Sequence, residues 1–129
     1  MKSLIAVLAL GLLLAASQVQ AAEQITGATL LEQCRAAVAR FEGAALPPES
    51  NIASAFCLGY LAGVEHLYTF MQSADPPPPR FCLPADTPMG QVARTVTTYL
   101  RAHPERQQVN GITAVLLALG EAYPCPGPR

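Results

Sequence analysis

The stretch Cys57-Leu58-Gly59-Tyr60-Leu61-Ala62-Gly63-Val64-Glu65-His66-Leu67-Tyr68 holds a cysteine, two glycines four residues apart and an adjacent Glu-His pair. It reads either as part of an active site or as the middle of a closely packed helix. Helical spacing favours the helix. Ala53, Phe56, Cys57, Tyr60, Val64, Leu67 and Met71 recur every three to four residues behind Ser50, a residue suited to the N-cap. Neighbouring helical residues do not face each other, so Glu65 and His66 are not an acid–base pair by themselves. Gly59 and Gly63 each weaken a helix by about 1 kcal/mol relative to alanine. The expected compensation is close approach of a neighbouring backbone, which makes Gly59, Tyr60 and Gly63 helix-packing residues. A self-association face is the functional variant of the same feature.

Three further helices are expected around this one. Thr29-Leu30-Leu31-Glu32 has the form of a capping box, and Leu30, Leu31, Cys34, Val38 and Phe41 follow at helical spacing. Gly43 is placed to end that helix, and Pro47-Pro48 cannot continue it. Thr87-Pro88 opens the third helix, whose inner face is Met89, Val92, Ala93, Val96, Tyr99, Leu100 and His103. Pro104 stops it and starts the fourth, with Val109, Ile112, Leu116, Leu119 and Tyr123 as its stripe. No segment alternates with a period of two. The fold class is all-α, a compact four-helix domain.

The first residues carry a different signal. Lys2 precedes an unbroken apolar run from Leu4 to Ala16, and Val19-Gln20-Ala21 fits a signal-peptidase site. Residues 1–21 therefore read as a cleaved signal peptide, too short to span a membrane as a helix. Residues 22–129 remain as a single helical domain. This part has seven arginines, no lysine and nine carboxylates, which lacks the basic footprint that nucleic acid requires and offers no basic membrane patch.

Cys34, Cys57, Cys82 and Cys125 all follow the signal. Their spacings of 23, 25 and 43 residues contain no C-x-x-C, and neither histidine adds a ligand spacing, so no metal site is expected. Four cysteines in a small exported domain read as two disulfides. In an up-down arrangement Cys34 and Cys57 face each other across the first hairpin, while Cys82 and Cys125 lie at one end. Cys34–Cys57 with Cys82–Cys125 is the favoured pairing, and Cys57–Cys82 with Cys34–Cys125 stays open. Catalytic constellations are missing too: there is no paired carboxylate motif, nucleophile elbow or phosphate loop. His66 reads as a helix-surface residue and His103 as a helix-end residue favoured by the dipole. The chain is a binding module rather than an enzyme, with no cofactor expected.

Several elements in order carry a family resemblance: Cys34 with Phe41, Cys57-Leu58-Gly59-Tyr60-Leu61-Ala62-Gly63, Cys82-Leu83-Pro84 and Gly90-Gln91-Val92. Tyr99-Leu100-Arg101-Ala102-His103-Pro104, Ala118-Leu119 and Ala122-Tyr123-Pro124-Cys125 complete the set. Together they resemble the Rap/Tai-type immunity proteins, which protect against peptidoglycan amidase effectors of type VI secretion. The resemblance implies a small periplasmic helical protein, a homodimer in many members, that fills the cleft of a secreted amidase. The connection from Gln72 to Phe81, stiffened by Pro76 to Pro79, is the expected contact segment, with Asp75, Arg80 and Phe81 as partner-binding residues. The alternative is a periplasmic acid-stress chaperone, which would expose apolar surface on acid unfolding; two disulfides and few titratable pairs argue against such a switch.

Overall fold

Thr26, not Thr29, starts the first helix. The computed structural model describes residues 24–78 and 80–127; residues 1–23, where a cleaved signal peptide is expected over 1–21, Pro79 and the last two residues lie outside the described residues. Helix α1 spans Gly27–Phe41. The Thr26 hydroxyl accepts the Thr29 amide at 3.3 Å, and the Thr29 hydroxyl accepts the Thr26 amide at 3.4 Å. Thr29 is thus the third-residue partner in the box rather than the cap, and Glu32, expected in that role, pairs with Arg35 on the surface at 2.9 Å. The other end follows expectation. Gly43 takes φ +90°, and the Gly43 and Ala44 amides bond back to the Arg40 and Ala39 carbonyls. This closure needs a left-handed residue, which glycine supplies without steric cost.

Helix α2 spans Ser50–Met71. Ser50 is its first helical residue rather than its cap; Glu49 precedes it without a side-chain cap bond. The carbonyls of Pro47 and Pro48 instead accept the Ser50 and Asn51 amides, each at 3.0 Å. The buried face is Ser54, Cys57, Leu61, Val64 and Tyr68, whereas Phe56, Leu67 and Met71 are exposed. The expected stripe is therefore rotated. Apolar residues surround most of this helix, so spacing alone does not single out the inward side. The bridge from Cys57 to Cys34 does, because both cysteines must point into the α1–α2 interface.

Helix α3 spans Met89–Ala102, with Pro88 just before it as the cap residue, one position earlier than the first turn. It buries Val92, Ala93, Val96, Tyr99 and Leu100 as expected, and also Thr97, whose hydroxyl donates to the Arg94 carbonyl at 3.0 Å. Pro104 begins a separate 3-10 turn, Pro104–Gln108, and not the last helix. Helix α4 spans Gly111–Ala122 and starts at Asn110, whose side-chain oxygen accepts the Ile112 amide at 2.9 Å. It buries Ala114, Val115, Ala118 and Leu119; Ile112 is exposed and Val109 lies ahead of the helix.

Helix α1 is central, packed against both α2 and α3, while α4 lies against α3. Four α-helices among the described residues, with no strand, make the domain all-α. Two disulfides hold it, Cys34–Cys57 and Cys82–Cys125, with Cα separations of 5.0 and 4.9 Å. Each stabilises such a domain by about 2–4 kcal/mol, largely by restricting the unfolded chain. Two short backbone pairings add to them. Gly27 and Gly111 amides reach the Val109 and Ile25 carbonyls at 3.0 and 2.7 Å, and the Cys82 amide reaches the Tyr123 carbonyl at 2.8 Å.

Close backbone approach is required at Gly27. A Cβ there would lie 2.6 Å from the Arg106 carbonyl oxygen, whereas one at Gly120 would meet nothing within 4 Å. Gly27→Ala is expected to destabilise by about 1–3 kcal/mol, and Gly120→Ala to stabilise by up to about 1 kcal/mol. Chemical denaturation of the two variants checks the contrast; equal midpoints would contradict it.

Candidate functional site

Tyr68, on the inner face of α2, organises the connection that follows. Its ring stacks on Phe81 with centroids 4.0 Å apart. Its hydroxyl accepts the Phe81 amide at 2.9 Å and lies 3.4 Å from the Phe81 carbonyl. Phe81 is 7% exposed and belongs to the core. It is not available as a partner contact, contrary to the sequence expectation; a buried aromatic beside a disulfide cysteine anchors the loop instead. Asp75 and Arg80 are exposed on the same connection, and the Asp75–Pro76 peptide is cis.

Between that connection and the helices lies an apolar slot of about 260 Å³. Val64 and Tyr68 form its floor, Leu67 and Met71 rise from α2, Ile112 and Leu116 from α4, and Pro78 closes one side. Leu67, Met71 and Ile112 are exposed large hydrophobic residues. Sequence reasoning placed Leu67 and Ile112 in the core and did not find the slot. The signal was present in a form that periodicity blurs: too many apolar residues on α2 and α4 for one inward face each.

The glycines of α2 are not where the packing expectation put them. Gly59 and Gly63 are exposed, and a Cβ on either would meet nothing within 4 Å. Within this chain they serve no close contact. Tyr60 does pack: its hydroxyl would sit 2.6 Å from a Cβ on Gly111, so close approach is needed at Gly111 as it is at Gly27. Burial raises the pKa of the Tyr60 hydroxyl.

Polar groups are spent on the scaffold. Glu65 is half-buried and its carbonyl accepts the Thr69 hydroxyl at 3.0 Å, while His66 is exposed. His103 stacks near Tyr99 and lies 3.3 Å from Glu105 and 3.8 Å from Glu121, linking the 3-10 turn to α4. A bond from its own backbone amide, helped by His103, holds the Glu105 carboxyl below its usual range. A groove between α3 and α4 is lined in part by Arg94, Thr95, Tyr99 and Glu121. Arg94 is already committed, with Nε 3.1 Å from Glu42 and its guanidinium 5.0 Å from the Phe41 ring centroid. All four cysteines are oxidised, and among the described residues no three His, Cys, Asp or Glu side chains gather to hold a metal ion.

Two disulfides and four helices make this chain a small all-α domain with apolar surface left over on α2 and α4. The family is more specific: residues 26–125 match the model of the Rap1a immunity proteins, and the chain belongs to that family. The matched region runs from the Thr26 cap of α1 to Cys125 of the second bridge. No curated protein and no solved structure matches the chain. Among the described residues no helix is long and apolar enough to cross a membrane.

Tyr68→Phe keeps the ring stack but removes the partner of the buried Phe81 amide. The expected loss is about 1–3 kcal/mol, with faster amide exchange at Phe81 and Cys82 than in α1. Unchanged exchange at Phe81 would show that the hydroxyl does not hold the connection.

Proposed function

We propose that the protein is a periplasmic immunity protein that binds a peptidoglycan amidase delivered by type VI secretion and occludes its active-site cleft. The observation that carries this reading is membership of the immunity family along residues 26–125. Two disulfides support action in an oxidising compartment outside the cytoplasm, and residues 1–21 supply the export signal in this reading. Occlusion needs no chemistry from the inhibitor. It needs a rigid surface that excludes water from the amidase cleft.

The connection after α2 and the neighbouring slot supply such a surface. Interfaces place an apolar centre inside a polar rim. In this reading the slot between Leu67, Met71 and Ile112 receives an apolar side chain of the amidase, and Asp75 and Arg80 make rim contacts. Anchoring by Phe81 and the proline run holds the connection before binding, which lowers the entropy lost on association.

The test is binding of the exported mature chain to the hydrolase encoded beside it, together with release of peptidoglycan fragments. The wild type is expected to block release. Ile112→Glu is expected to weaken binding at least tenfold, about 1.4 kcal/mol, with little change in thermal stability. A neighbour that is not a secreted hydrolase, or an amidase that neither binds nor loses activity, would sink the proposal.

A further inference from the structure

We propose that the Cys82–Cys125 bridge is a thiol-exchange site, which a dithiol opens while Cys34–Cys57 stays closed and the four helices stay folded. The two bridges differ in their surroundings. Cys34 and Cys57 are both 0% exposed and join two packed helices. Cys82 is exposed and Cys125 half-buried, and both lie in irregular chain outside the helices. Exchange requires a thiolate to reach one sulfur of the bridge, so access decides which bridge reacts. Exposed bridges are the labile ones for this reason.

The chain around the second bridge can move without the core. On one side Phe81 stays fixed, because the Tyr68 hydroxyl accepts its amide and the two rings stack. On the other side Tyr123 packs against the core, and its hydroxyl lies 3.4 Å from that of Thr95. Past these two aromatics the segments are tied by a backbone pairing of Phe81 with Pro124 and by the Cys82 amide on the Tyr123 carbonyl. Pro84, Ala85 and Asp86 are exposed, as are Pro124, Pro126 and Gly127. Opening the bridge therefore frees the chain after Tyr123 and loosens the link from Cys82 to Pro88, while the helix contacts remain. This is local opening at the low-stability end of the molecule. The connection from Gln72 to Phe81 runs directly into Cys82, so the state of the bridge also sets how firmly that connection is held.

Exposure fixes the order of bond changes. A thiolate of the dithiol attacks Cys82 Sγ and forms a mixed disulfide, the Cys82–Cys125 bond breaks, and Cys125 leaves as a thiolate. The second thiol of the dithiol then attacks its own sulfur in the mixed disulfide, and Cys82 leaves as a thiolate. The dithiol ends as a disulfide, and the protein has gained two electrons and, on protonation, two protons. None of these steps involves the amidase.

The experiment treats the folded, oxidised protein with dithiothreitol or with a thioredoxin, blocks free thiols with iodoacetamide at intervals and locates them by mass spectrometry. Cys82 and Cys125 are expected to be blocked at least about 100-fold sooner than Cys34 and Cys57, whose exposure needs an opening of the core. Circular dichroism is expected to keep its helical signal at that stage. Glutathione, a monothiol, is expected to leave its adduct on Cys82 rather than on Cys125. Resistance of both bridges, simultaneous opening, opening of Cys34–Cys57 first, or loss of the helical signal with Cys82–Cys125 overturns the proposal. A glutathione adduct on Cys125 overturns the order of attack. Opening by thioredoxin at lower concentration than dithiothreitol assigns the site to protein dithiols, and opening by dithiothreitol alone assigns it to small ones. The double variant Cys82→Ser, Cys125→Ser supplies the opened state without reagent. It is expected to stay helical with faster amide exchange over residues 82–88; an unfolded variant, or unchanged exchange there, counts against the proposal equally.

Discussion

The Cys34–Cys57 bridge is the constraint on which the rest of the structure turns. Helix α2 is apolar on nearly every side, so hydrophobic burial alone gives its rotation little preference. Tying Cys57 to the buried face of α1 removes that freedom. Leu61, Val64 and Tyr68 then follow into the core one turn after another. Tyr68 carries the constraint onward, since its ring and hydroxyl hold Phe81. Phe81 in turn sets Cys82 beside Tyr123 and Cys125, where the second bridge closes the fold.

The same rotation decides what faces outward. Once one stripe of α2 is inside, Phe56, Leu67, Phe70 and Met71 remain exposed. Leu67 and Met71 line the slot with Ile112 and Leu116, and Phe56 and Phe70 flank the two bare glycines. Scattered apolar residues are ordinary on a protein surface, but contiguous apolar area marks interaction. An immunity protein has reason to keep such area and little reason to keep reactive side chains. Several of its charged groups pair in exposed ion pairs such as Arg35–Glu32 and Arg94–Glu42, worth at most about 1 kcal/mol each.

Much of this was legible in the sequence, and the failures have physical causes. The four helices, the Gly43 stop and the bridge pairing follow from local rules: periodicity, left-handed glycine and the level of each cysteine along its helix. The family resemblance also rested on ordered scaffold motifs, and the family match covers the same span. The cap of α1 was misplaced because Thr26 and Thr29 both suit the role, and Glu32 lay three residues beyond the wrong one. Pro104 was read as a helix start, although Asn110-Gly111 supplied the better one. Phe81 and the α2 glycines were misread for a deeper reason. The glycines face as the rotation of α2 sets them, Phe81 is buried because that rotation turns Tyr68 inward beneath it, and a helix without a polar side does not encode its rotation in spacing. A distant cysteine encoded it instead.

Hydroxyl-radical footprinting of the oxidised mature chain tests that rotation most directly. The account predicts rapid labelling of Phe70, slower labelling of Phe56, and strong protection of Tyr68 and Phe81. Protection of Phe70 together with labelling of Tyr68 would mean that α2 presents its other side to the core, and would contradict the central claim.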